Sequence, residues 1–341
     1  MRRDHESKVR GGVPGCQPGY LGAVPALLLV LLLAFLAPAG AAAQELPAFA
    51  PVNPVAAGRT PLSFEPFRPY RAGRWGLTAG LSYASTIESN SGPASTYLLD
   101  SELLRLRLGV SRDLSPTTFM LADAELLGAY SGFLDGFLDW YHGLLGIHIP
   151  ERARRPHDEF GYVVDLPGEA PVEGRPDDAF LGDMRLGLGL RVHPAIQSVA
   201  VVTLPTSTGP EGYGRGVVTA GLLNTAHLAL SSRLIGEGSL GLGLAPRHGS
   251  LAESQHELMA SGSAGARLRL FGRQSLYANL FYHTPYYHDT GMPALDRYDM
   301  ALDFGVLIGS GPGHEWRIGM TEDLKPSGPA VDLIFQFGGK F

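Results

Sequence analysis

The chain has 341 residues and a formal net charge of −6, with 27 Lys and Arg against 33 Asp and Glu. That acidic balance leaves no electrostatic footprint for nucleic acid. A single cysteine, Cys16, excludes a disulfide framework and a cysteine metal site.

Arg2, Arg3, Lys8 and Arg10 form a positive start, and an apolar run follows over 21–36. Small residues then lead to Ala41 and Ala43. This order is that of a secretory signal peptide over 1–43, with a mature start near Gln44. It implies export by the general secretory route. Cys16 precedes the apolar run, so it is not a lipoprotein cysteine.

Residues 44–72 carry Pro47, Pro51, Pro54, Pro61, Pro66 and Pro69. Proline fixes φ and removes a donor, so this stretch is expected to be an extended periplasmic lead-in and not a strand.

From residue 73 to 341, apolar and small or polar residues alternate. This is the mark of strands with one apolar face. Trp75, Leu77, Ala79, Leu81 and Tyr83 share one face, as do Leu104, Leu106, Leu108 and Val110. Met184, Leu186, Leu188, Leu190 and Val192 form a third such set, and Tyr298, Met300, Leu302, Phe304, Val306 and Ile308 a fourth. The long run 217–234 alternates too. The pattern predicts an all-β fold, an antiparallel up-and-down transmembrane β-barrel of about 12 strands. Connections near 112–116, 193–195, 235–237, 271–274 and 310–313 are expected to be short. Those over 86–101, 128–182, 205–215, 247–255, 284–297 and 323–330 are expected to be long. Short turns on one rim and long loops on the other are the topology of outer-membrane barrels.

The non-apolar faces predict a charged lumen of Arg105, Arg107, Arg185, Arg191, Arg233, Arg267, Arg269 and Arg317. Asp183, Asp299, Asp303, Glu315 and Asp332 accompany them. Buried charges need partners or water, so these residues fill the lumen with ion pairs or line a charged conduit. Gly187, Gly189, Gly241 and Gly243 stand at alternate positions and predict tight packing or strand curvature. No dinucleotide loop, Walker loop, zinc-spaced histidine pair or nucleophile elbow occurs, and no cofactor or metal is expected.

The second outer loop, 128–182, is too long to be an idle connection. Within it 132–147 reads as an amphipathic helix with Phe133, Phe137, Trp140, Tyr141 and Leu144 on a broad apolar face. Asp135, Asp139 and His142 are expected on the opposite, solvated face. With Trp140 they are the weak ligand-binding candidates; the alternative for the three polar groups is hydrogen bonding that anchors the loop. The helix is expected either to cap the lumen or to lie in the membrane interface. Beyond it, Arg152, Arg154, Arg155, His157, Asp158 and Glu159 pair among loop acids or meet lipopolysaccharide phosphate.

In the last strand, Val331, Leu333, Phe335, Phe337 and Phe341 share a face, with Asp332 and Gln336 opposite. A chain ending on an aromatic residue of such a strand resembles the recognition signal of the outer-membrane insertion machinery. The segment Gly132-Phe-Leu-Asp-Gly-Phe-Leu-Asp-Trp-Tyr-His142, followed by Leu145-Gly-Ile147, Arg155-Pro156 and Phe160, resembles the uncharacterised bacterial domain-of-unknown-function family 3187. The resemblance implies an outer-membrane-type barrel and carries no catalytic residue.

The expected function is a non-enzymatic narrow channel, transporter or envelope component in contact with outer-membrane lipid and lipopolysaccharide. One alternative is a lipid-modifying hydrolase using His248 and Ser250, two residues apart on one strand face and projected onto the lipid side. Another is a surface adhesin or receptor acting through its long loops.

Overall fold

A computed structural model describes residues 45–341 apart from 73–74, 93, 147–148, 151, 312–313, 325–327 and 330–332. The expected signal peptide, Cys16, Gln44, Val331 and Asp332 lie outside the described residues.

Among the described residues fifteen strands form one sheet. They are β1 Trp75–Ser91, β2 Thr96–Asp113, β3 Thr118–Tyr130, β4 Gly161–Asp165, β5 Val172–Glu173, β6 Asp177–Leu181, β7 Met184–His193, β8 Ile196–Leu204, β9 Thr219–Ala229, β10 Leu234–Leu244, β11 Leu258–Arg269, β12 Gln274–His283, β13 Asp299–Gly311, β14 His314–Asp323 and β15 Leu333–Lys340. Helix α1 spans Pro54–Ala57, α2 Asp135–Leu145 and α3 Pro293–Asp296. β4, β5 and β6 belong to the second outer loop. The other twelve strands run antiparallel to their neighbours, and β1 pairs with β15 to close the barrel.

The expected inversion of a membrane barrel is present. On β7, Leu186, Leu188 and Leu190 face outward and are exposed, whereas Arg185 and Arg191 are buried inside. Leu108, Leu242, Ile318 and Phe337 continue the same outer belt. In water so many exposed apolar side chains would be costly; in a bilayer they are at home. Trp75, Phe271 and Leu114 lie at the short-turn rim, where an aromatic girdle meets the membrane interface.

Two boundaries and the phase of one strand differ from expectation. The turn between β9 and β10 lies at 230–233, not 235–237. The hydroxyl of Ser231 accepts from the Arg233 and Leu234 amides and ends the run there. Ile235 and Glu237 consequently face inward and are buried. The expected loop 86–101 is mostly strand, because β1 and β2 stay in register to Ser91 and Thr96. Above the membrane the apolar set of β2 moves to the inner face: Tyr97, Leu99 and Leu103 are buried there, where Arg105 and Arg107 take the same face lower down. The outside is water at that height, so the soluble rule returns and the alternation changes phase.

The largest correction concerns residues 44–72. The expected periplasmic lead-in is folded inside the barrel from Glu45 onward. Leu46, Phe49 and Phe64 pack with Tyr277, Phe281 and Leu307 in one half of the lumen. Val52, Val55, Ala56 and Leu62 join Tyr97, Leu99, Tyr162, Val201 and Leu223 in the other. The segment is a plug, and it supplies the centre of both apolar clusters.

Candidate functional site

The plug enters from the short-turn rim, where Glu45 pairs with Lys340 at 2.9 Å and with Arg71 at 3.0 Å. It rises toward the outer loops, turns through α1 and descends again. Phe49 and Phe64 exchange backbone hydrogen bonds of 3.1 and 2.7 Å between the two limbs. Asn53 caps α1 by accepting from the Val55 amide at 2.9 Å. Past α1, Arg59 donates to the carbonyls of Ala245 and His256, both at 2.9 Å. At the bottom the Phe67 amide donates to Glu237 at 3.0 Å and the Arg68 amide to Gln197 at 2.8 Å.

A proline-rich segment has carbonyls to satisfy and few amides to offer. The wall answers with donors. Arg105 reaches the Pro51 carbonyl at 3.0 Å, Arg267 that of Glu45 at 2.8 Å and Arg317 that of Ala48 at 3.2 Å. Arg191 reaches the Arg68 carbonyl at 2.7 Å, and Gln197 that of Pro66 at 2.7 Å. On the outer side Arg215 reaches the Thr60 carbonyl at 2.6 Å. Several lumen arginines are therefore plug ligands as well as members of ion pairs.

The alternate glycines take their meaning from the same segment. A Cβ on Gly243 would lie 2.7 Å from Pro61 Cγ and 3.0 Å from Leu62 Cγ. On Gly265 it would lie 2.8 Å from Leu46. These positions admit the plug because they lack side chains. Gly187 and Gly189 instead make room for Leu121 and Phe119 of β3.

Along β2, β3 and β7 a charged ladder runs beside the plug. Arg185 pairs with Glu65 of the plug at 2.6 Å and with Asp123 at 3.3 Å. Arg107 pairs with Asp123 at 3.0 Å, Arg105 with Glu125 at 3.8 Å, and Arg215 with Asp183 at 3.2 Å. Three cavities follow this ladder. An outer vestibule of about 280 Å³ is lined by α1, Tyr162, Tyr287, Asp183 and Arg215. A neck of about 60 Å³ shares Asp183 and Arg215 with it and adds Arg185 and Glu125. An inner chamber of about 230 Å³ shares Ala50, Arg105, Arg107 and Asp123 with the neck. The neck has room for a few water molecules.

The other expected lumen charges divide. Asp303 accepts from Arg317 through both oxygens at 2.6 Å, and from Tyr277 and Thr321. Arg191 pairs with Asp113 at 2.5 Å, and Arg267 with Glu315 at 2.5 Å. Asp299 accepts from Tyr286 at 3.1 Å. Arg233 and Arg269 are not lumen groups. Arg233 is exposed in the 230–233 turn, and Arg269 donates to the Ser232 carbonyl at 2.5 Å on the rim. Sequence reasoning missed Glu65 and Arg215, because neither lies on an alternating strand.

The helix residues do not converge on one site. Helix α2 begins at Asp135, not 132. Its expected solvated face is divided: Asp135 and His142 are buried, and Asp139 is exposed. Asp135 pairs with Arg152 and accepts from the Asp158 amide at 2.7 Å, while Asp139 meets His157 at 2.9 Å. Arg155 pairs with Asp100 and Glu159. Trp140 points away, exposed. Among the described residues no group of three or more His, Cys, Asp or Glu is placed to hold a metal. His248 and Ser250 line the outer vestibule and not the lipid face, because β10 ends at Leu244. Ser250 donates to Glu211 at 2.5 Å. In the same loop the ring of His256 lies 4.8 Å from that of His288 in the next loop; burial, and then His288, hold His256 below the usual imidazole range.

A family model described as "Protein of unknown function (DUF3187)" matches residues 60–341. No curated protein matches the chain. An outer membrane channel from Pseudomonas putida F1 is 12% identical, with a TM-score of 0.52, over 80% of this chain and 96% of that one. The NanC porin is 7% identical, with a TM-score of 0.44, over 79% of this chain and 99% of that one. The Ralstonia pickettii toluene transporter TbuX is 11% identical, with a TM-score of 0.37, over 79% and 88%. At these identities the likeness to the Pseudomonas channel is one of fold.

Proposed function

The chain belongs to the DUF3187 family of proteins of unknown function, and on that premise we propose that it is a non-enzymatic outer-membrane channel whose N-terminal plug controls passage. The exposed apolar belt supports residence in a bilayer. The observation that carries the channel reading is the run of three neighbouring cavities that share lining residues along the ladder of β2, β3 and β7. With the plug seated, the neck passes water and small ions; larger polar solutes need the plug to shift. Arginines alternate with carboxylates along the path, so selectivity between anions and cations is weak.

The hydrolase alternative draws no support from the geometry. Ser250 is bonded to a carboxylate and lies away from the lipid face. The Pseudomonas channel lends this reading its fold and no solute.

Purified protein in planar bilayers is expected to give small conductance steps of weak ion selectivity. In liposomes it is expected to admit monosaccharides slowly. A protein that folds and inserts yet leaves both conductance and swelling at the lipid baseline overturns the channel reading.

A further inference from the structure

We propose that α2 is embedded in the outer leaflet of the membrane, where it straps the closing seam of the barrel from outside. Its partner is the boundary between lipid headgroups and acyl chains.

The helix lies neither in the lumen nor over its mouth. Leu134 and Leu138 pack against Leu333 of β15, beside Tyr83 of β1, Met320 of β14 and Phe335 of β15. Tyr83, Phe335 and Met320 are register partners on the outward face. Phe137 meets the Phe335 ring at 5.9 Å, and Tyr141 donates to Glu322 of β14 at 3.0 Å. At the other end Glu102 of β2 accepts from the Phe133 and Leu134 amides at 3.0 and 2.7 Å. The helix thus crosses from β2 over β1 and β15 to β14. Among the described residues the β1–β15 seam beneath it pairs Thr78–Ser85 of β1 with β15.

At about 100° per residue the surface of α2 divides into three sectors. Leu134, Leu138 and His142 face the wall, and they are buried. Asp139, Gly136 and Gly143 are exposed on a second side. Phe133, Phe137, Trp140 and Leu144 form the third, an apolar stripe open to the surroundings; Phe133 is 71% and Leu144 69% exposed. One helix meets protein, a polar medium and an apolar medium at once. That combination arises where a barrel wall crosses the membrane surface.

The stripe is continuous with the lipid-facing belt. Directly below the helix the belt carries Leu81, Phe337 and Ile318, all exposed. Directly above, polar groups enter the outward face: Ser85 accepts from Arg152 at 3.2 Å and Asp100 pairs with Arg155, and Ile87 beside Asp100 is buried, not open as the belt is. The stripe therefore sits at the upper limit of the belt. An aromatic-rich stripe at that height suits the interface, where Trp and Phe rings are favoured.

The test uses full-length protein carrying Trp75→Phe and Trp316→Phe, which leaves Trp140 as the lone tryptophan. It is folded into phosphatidylcholine vesicles. Trp140 emission is expected to be blue-shifted, shielded from aqueous iodide and quenched most strongly by bromines placed high on the acyl chains. Emission that iodide quenches freely and brominated lipid does not would show the stripe in water and overturn the proposal. Shielding from both quenchers together with a dimer in sedimentation would assign the stripe to a second copy and overturn it equally. Adding Phe133→Ser and Leu144→Ser is expected to lift the helix toward water, with the barrel still heat-modifiable on gels.

Discussion

Deleting residues 45–66 is expected to raise single-channel conductance severalfold and to let monosaccharides through at a rate the full-length protein does not approach. The segment fills the lumen with Leu46, Phe49, Val52, Val55, Leu62 and Phe64, all buried. Its removal merges vestibule, neck and chamber into one aqueous path. The wall does not need the plug for its backbone bonds, because each of the twelve strands pairs with two neighbours. What the wall loses is acceptors for Arg105, Arg267 and Arg317, and in an open lumen water takes that role. The barrel is therefore expected to fold, and heat-modifiable migration on gels checks this separately. A folded deletion variant with unchanged conductance would mean that the plug does not limit flow.

Glu102→Ala is expected to release α2 from the wall. Glu102 is almost fully buried on the outward face of β2, and it accepts from Tyr83 and from the Phe133 and Leu134 amides. Loss of a hydrogen bond to a charged acceptor costs about 1.5–3 kcal/mol, and the remaining ties of the loop to the wall, Tyr141 to Glu322, Arg152 to Ser85 and Arg155 to Asp100, lie beyond this entry to the helix. Gly132 explains why the contact is so close. It holds φ +89, and a Cβ there would lie 2.0 Å from the Glu102 carboxyl carbon. Limited proteolysis between residues 130 and 160 is expected to quicken in the Glu102→Ala protein while the core stays resistant. Cleavage at the wild-type rate would show that α2 docks without the Glu102 contact.

The strands were legible where lipid lies outside. β7, β13 and the described part of the last strand carry an outward apolar set because a bilayer demands one. In that last strand Leu333, Phe335 and Phe337 lie on one face and Gln336 on the other, where it donates to Thr321 at 2.5 Å. Legibility failed where the medium changes. In the outer half of β2 the apolar set turns inward at Leu103, so a rule that equates apolar with outward loses the strand. The plug was illegible for a different reason. Six prolines read as a linker, because nothing in one segment shows that its unpaired carbonyls face arginines spread over β2, β7, β11 and β14. The excess of inward arginines was the available signal. The helix was legible as a helix and its apolar face as apolar. Which polar residue meets solvent was not, since Asp135 is bound to Arg152 seventeen positions away.

The central claim is that residues 45–72 sit in the lumen and that their position governs passage. A disulfide between Leu62→Cys and Gly243→Cys tests it most directly. A Cβ at Gly243 would already lie 3.0 Å from Leu62 Cγ, within reach of the short Cβ spacing a disulfide needs. Cys16→Ser removes the only native thiol. Liposome swelling with a monosaccharide is then measured before and after reduction. The account predicts that the oxidised protein is nearly impermeable and that reductant raises the rate to the wild-type level or above it, because an unlinked side chain at Gly243 crowds Pro61 of the plug. Equal swelling rates in the two states, with the disulfide shown to have formed, would contradict it.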